Sequence, residues 1–179
     1  LNRVKSAAEN FFDDLQQIPF ASLSQSEAIK QMCASNTCGS FGKNRTCPPA
    51  DQTVDTCRSK MSQFDTFMIF YKVYELRSRF DWKGTMLGCS DFQRRLRKLN
   101  TRLKTIEPKP EFLIFGAGCC QMCDFCSSGI GERCLKPEAA IVSFETCGID
   151  VMKMMEDNGL NYDNGTNTVT YIGGVCHLQ

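Results

Sequence analysis

Five of the chain's 12 cysteines fall between Cys119 and Cys134, and three of them, Cys120, Cys123 and Cys126, are spaced as Cys-x2-Cys-x2-Cys. Cys134 follows after seven intervening residues, with Pro137 just beyond. Thiolates this close let one loop coil around a cubane, each sulfur reaching a different iron, while a more distant cysteine closes the cage. Four sulfurs on zinc must instead meet about 2.3 Å from a single ion, and structural zinc sites usually draw them as two pairs far apart in sequence. The spacing therefore points to a [4Fe-4S] cluster on Cys120, Cys123, Cys126 and Cys134, with zinc as the main rival. Disulfides are the third reading, and the sequons Asn44-Arg45-Thr46 and Asn164-Gly165-Thr166 would suit a secreted, bridged protein. Against it, bridging needs paired Cα atoms in a narrow distance range, which vicinal Cys119-Cys120 and two-residue gaps do not offer within one loop.

A second group repeats the theme. Cys33, Cys38 and Cys47 lie in the glycine-containing stretch CASNTCGSFGKNRTCPP, and three thiolates in such a loop again look like cluster ligands. Cys57 and Cys89 are the candidates for a fourth ligand, and the spacing does not choose between them. Alternatively one iron lacks a protein thiolate, and the open position takes a small-molecule substrate. Cys119, Cys147 and Cys176 remain, and they read as small buried hydrophobes. His177 is the only histidine; near the chain end it is expected to fray, and one histidine disfavours mixed Cys/His zinc sites or a histidine relay.

These residues also form a larger pattern: Cys33, Cys38 and Cys47-Pro48-Pro49, then GAGCCQMCDFC from Gly116 to Cys126, then Cys134-Leu135-Lys136-Pro137, then Ser143, Glu145 and Gly148-Ile149-Asp150-Val151. The pattern resembles the prokaryotic cysteine-rich family called domain of unknown function 2284, predicted metal-binding proteins, from about Met32 to Ile172. The resemblance implies metal binding by both loops, as iron-sulfur clusters, in a cytoplasmic and often anaerobic setting. It supplies no reaction. Where this chain has Cys119-Cys120 the family pattern has one cysteine, aligned with Cys120, and it has no fixed cysteine at Cys57.

Composition limits the other possibilities. At 179 residues the chain suits one domain and is long enough to bury a core without covalent staples. Its cysteine share, about 7%, lies below the roughly 8 to 10% of disulfide scaffolds. With 21 Lys and Arg against 20 Asp and Glu, no global field draws it to nucleic acid or an anionic membrane. There is no apolar run of membrane-spanning length, and the first 25 positions mix charge with apolarity instead of forming a signal core. A cytoplasmic protein is expected, with neither nucleic acid nor a membrane span among its partners.

The elements that must position the thiols follow from periodicity. Val4, Ala8, Phe11, Leu15 and Ile18 recur at helical steps up to Pro19, and Ser26 to Met32 fits a short second helix. Thr66 to Leu76, Glu111 to Gly116 and Thr168 to Ile172 read as strands. Phe92, Leu96, Leu99, Leu103 and Ile106 mark a helix from about Ser90 or Asp91 that stops before Pro108, and short helices follow near Pro137 to Val142 and Ile149 to Asp157. Strand, long helix, strand in that order predicts a right-handed crossover with parallel pairing. The fold class is α/β: a small mixed or parallel sheet with flanking helices and two cysteine-rich metal-binding loops. Its single domain divides into N-terminal helices (1–32), a first cysteine loop (33–57), a strand-helix-strand core (66–117), a second cysteine loop (118–137), and helices with a final strand (138–179).

Arg94, Arg95, Arg97, Lys98, Arg102 and Lys104 lie opposite the long helix's apolar stripe. Such a face is usually just solvated, but it could dock an acidic redox partner protein. In SFETCGID, Glu145 or Asp150 is expected at a helix start, where a carboxylate favours the dipole. The leading functional reading is electron transfer through two [4Fe-4S] clusters. The alternatives are a small reductase or cofactor-assembly enzyme with an open-site cluster, and a structural zinc protein.

Overall fold

A strand apolar on both faces has to be covered on both sides. In the computed structural model, which describes residues 2–49, 53–106, 111–127 and 131–178, the run TFMIF does this within β2 (Thr66–Glu75). Phe67 and Ile69 face one layer, with Phe115, Phe144, Ile149, Met154 and Met155. Met68 and Phe70 face the other, with Val4, Ala7 and Ala8 of α1 (Asn2–Ala8) and Phe92, Leu96, Leu99 and Leu103 of α4 (Trp82–Thr105). Each such Val, Leu, Ile, Phe or Met side chain, fully buried, contributes about 1.5–3 kcal/mol. The predicted stop of α4 at Pro108, Asp51 of the first loop and residues 128–130 of the second lie outside the described residues.

The sheet is mixed. Its order is β1-β2-β5-β3-β4, where β1 is Asp14–Ile18, β3 Phe112–Gly116, β4 Val142–Ser143 and β5 Thr168–His177. β3 and β4 pair in parallel, while β5 runs antiparallel to both β2 and β3. The predicted parallel pairing of the strands joined by α4 therefore does not form, because the last strand is inserted between them. β5 is also longer than the expected Thr168 to Ile172, continuing through Gly173-Gly174 to His177 where neighbouring groups crowd the backbone. A Cβ at Gly173 would lie 2.4 Å from the Phe70 ring and 2.9 Å from the Phe115 carbonyl oxygen.

Other expectations need correction. The predicted single N-terminal helix stops at Ala8, and residues Asp14–Ile18 pair with β2 instead. Asp13 switches the chain: its N–H donates to Tyr71 O at 2.9 Å, and its carboxylate accepts from Val73 N at 2.9 Å and Lys72 Nζ at 2.7 Å. An open edge of β2 outweighs helical periodicity there. α4 starts at Trp82, eight or nine residues before Ser90 or Asp91, because Asp81 caps it by accepting from Gly84 N at 3.0 Å. A further helix, α3 (Val54–Met61), capped by Thr53, occupies the end of what reads as the first loop. The helices expected from Ser26 and Ile149 form as α2 (Glu27–Met32), capped by Ser26, and α5 (Val151–Asp157), capped by Asp150. Among the described residues no helix is long and apolar enough to cross a membrane.

Candidate metal centre

The second cysteine loop leaves the sheet where β3 ends. Gly116 still pairs with Ser143 of β4, and the Gln93 amide of α4 donates to the Ala117 carbonyl. At Gly118 φ is +73°, and a Cβ there would also stand 2.9 Å from Cys89 Sγ, so only glycine takes this turn without strain. Ser90 Oγ donates to Gln121 Oε1 at 2.8 Å, and Gln121 Nε2 in turn approaches Cys89 Sγ at 3.7 Å. The loop then folds back: Glu132 N donates to Ser127 O at 3.1 Å, Ser127 Oγ to Arg133 O at 2.7 Å and Lys136 Nζ to Met122 O at 3.2 Å.

The first loop is fixed at both ends. α2 delivers Cys33, and its start is tied to the turn after β4: Ser26 N donates to Gly148 O at 2.8 Å and Gln25 Nε2 to Cys147 O at 3.1 Å. At the other end Thr46, fully buried, stitches three segments together. Its Oγ1 accepts from Cys120 N at 3.0 Å and donates to Asn44 Oδ1 at 2.9 Å, while its carbonyl accepts from Thr146 Oγ1 at 2.8 Å. The loop thus has little apolar packing but a defined hydrogen-bonded frame, and Thr46 places Cys47 next to the start of the second loop.

Electrostatic neighbours divide the thiols into two sets. Burial raises the Cys120 thiol, a hydrogen bond from the Met122 N–H partly offsets this, and Cys126, Cys134 and Cys123 raise it further. The Cys47 thiol is pushed up to about 12, first by burial and then by Cys119, with Cys38 and Cys33 adding to it and an Asn44 hydrogen bond opposing. Burial, Glu145 and Cys38 raise Cys33. Desolvated thiols beside one another resist ionising, and a bound metal centre relieves that repulsion as it displaces their protons. All-sulfur donor sets with N–H groups beside them suit a thiophilic metal centre, zinc and iron-sulfur alike. Among the described residues, no three His, Cys, Asp or Glu side chains stand in an arrangement that would hold a single metal ion.

The remaining residues fall as follows. Cys57, predicted as a possible fourth ligand, is buried in a disulfide with Cys147, with Cα atoms 5.5 Å apart. Cys147 is therefore bonded as well as packed. Cys89 is buried on α4 under Gly118. Cys176 is buried in β5, and so is His177, which the sheet ties down where fraying was expected. Cys119 departs from the expected packing role: it is only partly buried and neighbours Cys47 and Cys89. Sequence spacing could not find it, because its companion lies 72 positions away. On α4, Asp91 engages both Arg94 and Arg95, and Lys104 donates to Glu138 O at 2.9 Å, so half of the basic stripe is committed internally. A groove of about 360 Å³ beside the first loop is lined by Cys33, Cys38, Glu145 and Tyr162 among others, and burial pushes the Glu145 carboxyl up.

No curated protein matches the chain, and no solved structure does. Residues 16–176 match the profile of the family described as predicted metal-binding protein, domain of unknown function 2284, and the chain, matched over most of its length, belongs to that family.

Proposed function

We propose that the protein transfers electrons through two [4Fe-4S] clusters, one held by Cys120, Cys123, Cys126 and Cys134 and the other by Cys33, Cys38 and Cys47 with one further ligand. The observation that carries this reading is the Cys-x2-Cys-x2-Cys spacing of Cys120, Cys123 and Cys126, with Cys134 following after seven residues. Such a centre supplies reversible one-electron exchange at potentials from about −700 to +450 mV. The chain's own residues supply the rest. The thiolates hold the iron, the Met122 N–H and Asn44 donate to ligand sulfurs, and burial of Cys47 and Cys120 lowers the local polarity.

The partner is a redox protein, and the outer face of α4, with Arg97, Lys98 and Arg102, suits an acidic surface on it. The reading places the protein in the cytoplasm, where exposed thiols stay reduced. The Cys57–Cys147 bond, enclosed in the core, is out of easy reach of the small thiols there.

A second reading draws on the groove at Cys33 and Cys38. An open iron in the first site would face it and bind a small molecule, making the protein a small reductase or cofactor-assembly enzyme. An anaerobic redox titration followed by visible absorption tests the leading reading. Reversible bleaching in two one-electron steps is expected; a colourless protein that takes up no electrons overturns it.

A further inference from the structure

We propose that the corner where β2 turns into α4 docks the protein on an anionic membrane surface, with Phe80, Trp82 and Leu87 entering the lipid interface and Arg79 and Lys83 meeting the headgroups. The proposal goes beyond the electron-transfer reading and does not depend on the metal.

Exposure marks the corner first. A single apolar side chain left in water needs no explanation, but Phe80, Trp82, Met86 and Leu87 stand close together in sequence and are 77%, 67%, 42% and 62% exposed. The turn that carries them is tied from within. Asp81 accepts from Arg77 N, Nε and Nη2, each at 3.1 Å, and from Gly84 N at 3.0 Å. The apolar side chains therefore project from a fixed base, and a base already ordered loses little entropy on docking.

Charge selects the occupant. From Leu76 to Leu87 the chain carries the cations Arg77, Arg79 and Lys83 and a single carboxylate, Asp81. Arg77 and the helix cap take up that carboxylate, while Arg79 and Lys83 are exposed. The Arg79 guanidinium lies over the Phe80 ring, 4.6 Å from its centroid, so ring and cation are presented together. This pairing matches an anionic bilayer, where aromatic rings settle at headgroup depth and Lys or Arg meets the negative surface. An apolar anchor and a basic group are also the two signals that together hold a peripheral protein. A second copy of the chain would instead set the same cations against one another.

The corner does not compete with the face given to the redox partner. Trp82 precedes Arg97 by about 22 Å along α4, so a molecule resting on lipid through its β2–α4 turn keeps Arg97, Lys98 and Arg102 free.

The test mixes the full chain, purified anaerobically, with vesicles of phosphatidylcholine alone or of phosphatidylcholine with phosphatidylserine. Trp82 is the only tryptophan, so tryptophan fluorescence reads this corner alone. With the phosphatidylserine vesicles its emission should move to shorter wavelength and the protein should sediment, and added salt should release it. Phe80→Ser should weaken binding about tenfold and Arg79→Gln about fivefold, whereas Leu178→Ser, which removes an exposed apolar side chain elsewhere, should leave it unchanged. These substitutions change exposed side chains, and circular dichroism checks that the fold is kept. Absence of binding to the anionic vesicles, an unshifted Trp82 emission in the bound protein, or wild-type binding by Phe80→Ser overturns the assignment. A concentration-dependent dimer that Phe80→Ser abolishes, without vesicle binding, overturns it in favour of a second copy.

Discussion

The layered core and the cysteine-bearing edge hold together by different means. In the core, Phe67, Phe70, Phe92, Leu96 and Phe144 are fully enclosed on the two faces of one sheet, and its cysteines are enclosed with them. At the edge, order comes from directed hydrogen bonds through Thr46, Gln93, Gln121 and Ser127, and the thiols there stay within reach of solvent. Apolar burial needs no ligand to be favourable, but a cluster of desolvated thiols does. The core should therefore persist without metal, while the edge should depend on it.

Removing core packing separates the two regions most sharply. Leu96→Ala should cost about 2–5 kcal/mol in chemical denaturation, while the surviving folded protein keeps its iron content. A parallel loss of iron from the folded fraction would show that core and edge are not independent. Next in size, Cys57→Ala removes a bond that closes a long loop and should cost about 2–4 kcal/mol with the metal content unchanged. Iron loss in that variant would return Cys57 to the ligand set.

Thr46→Val tests the seam between the regions. It leaves the Cys120 N–H without its acceptor, at a cost of about 1–3 kcal/mol, and hydrogen exchange should quicken in both loops but not in β2 or β5. The smallest effect is electrostatic and belongs to the core side. Burial raises the Asp91 carboxyl, but hydrogen bonds from Arg95, Tyr74 and Arg94 outweigh it and hold it at about 2. Because this pKa lies below the unfolded value near 3.9, the stabilisation is present above about pH 4 and is lost as pH falls towards about 2. Asp91→Asn should flatten that part of the acid-denaturation profile.

The sequence was most legible where one local signal dominated. The buried apolar run of β2 and the stripe of α4 are read directly, as are the short helices from near Ser26 and Ile149, because each depends on neighbours a few positions away. Long-range competition hid the rest. Leu15 and Ile18 keep a helical step, yet the free edge of β2 claims them through Asp13. The last strand is read only to Ile172, because its continuation through Gly173-Gly174 depends on the distant Phe70 and Phe115. In the candidate site, the second cysteine loop is visible from spacing because its thiols lie close in sequence. The placement of Cys119 against Cys47, and the bonding of Cys57 to Cys147 across 90 positions, depend on how distant segments meet.

The central claim is that the two sets of loop thiols are occupied by iron and sulfide. Its most direct test is iron, sulfide and zinc analysis of the wild-type chain purified without oxygen. The account predicts about eight irons and eight sulfides per chain and no stoichiometric zinc. Zinc without iron, or a metal-free protein with the loop cysteines paired as disulfides, would contradict it.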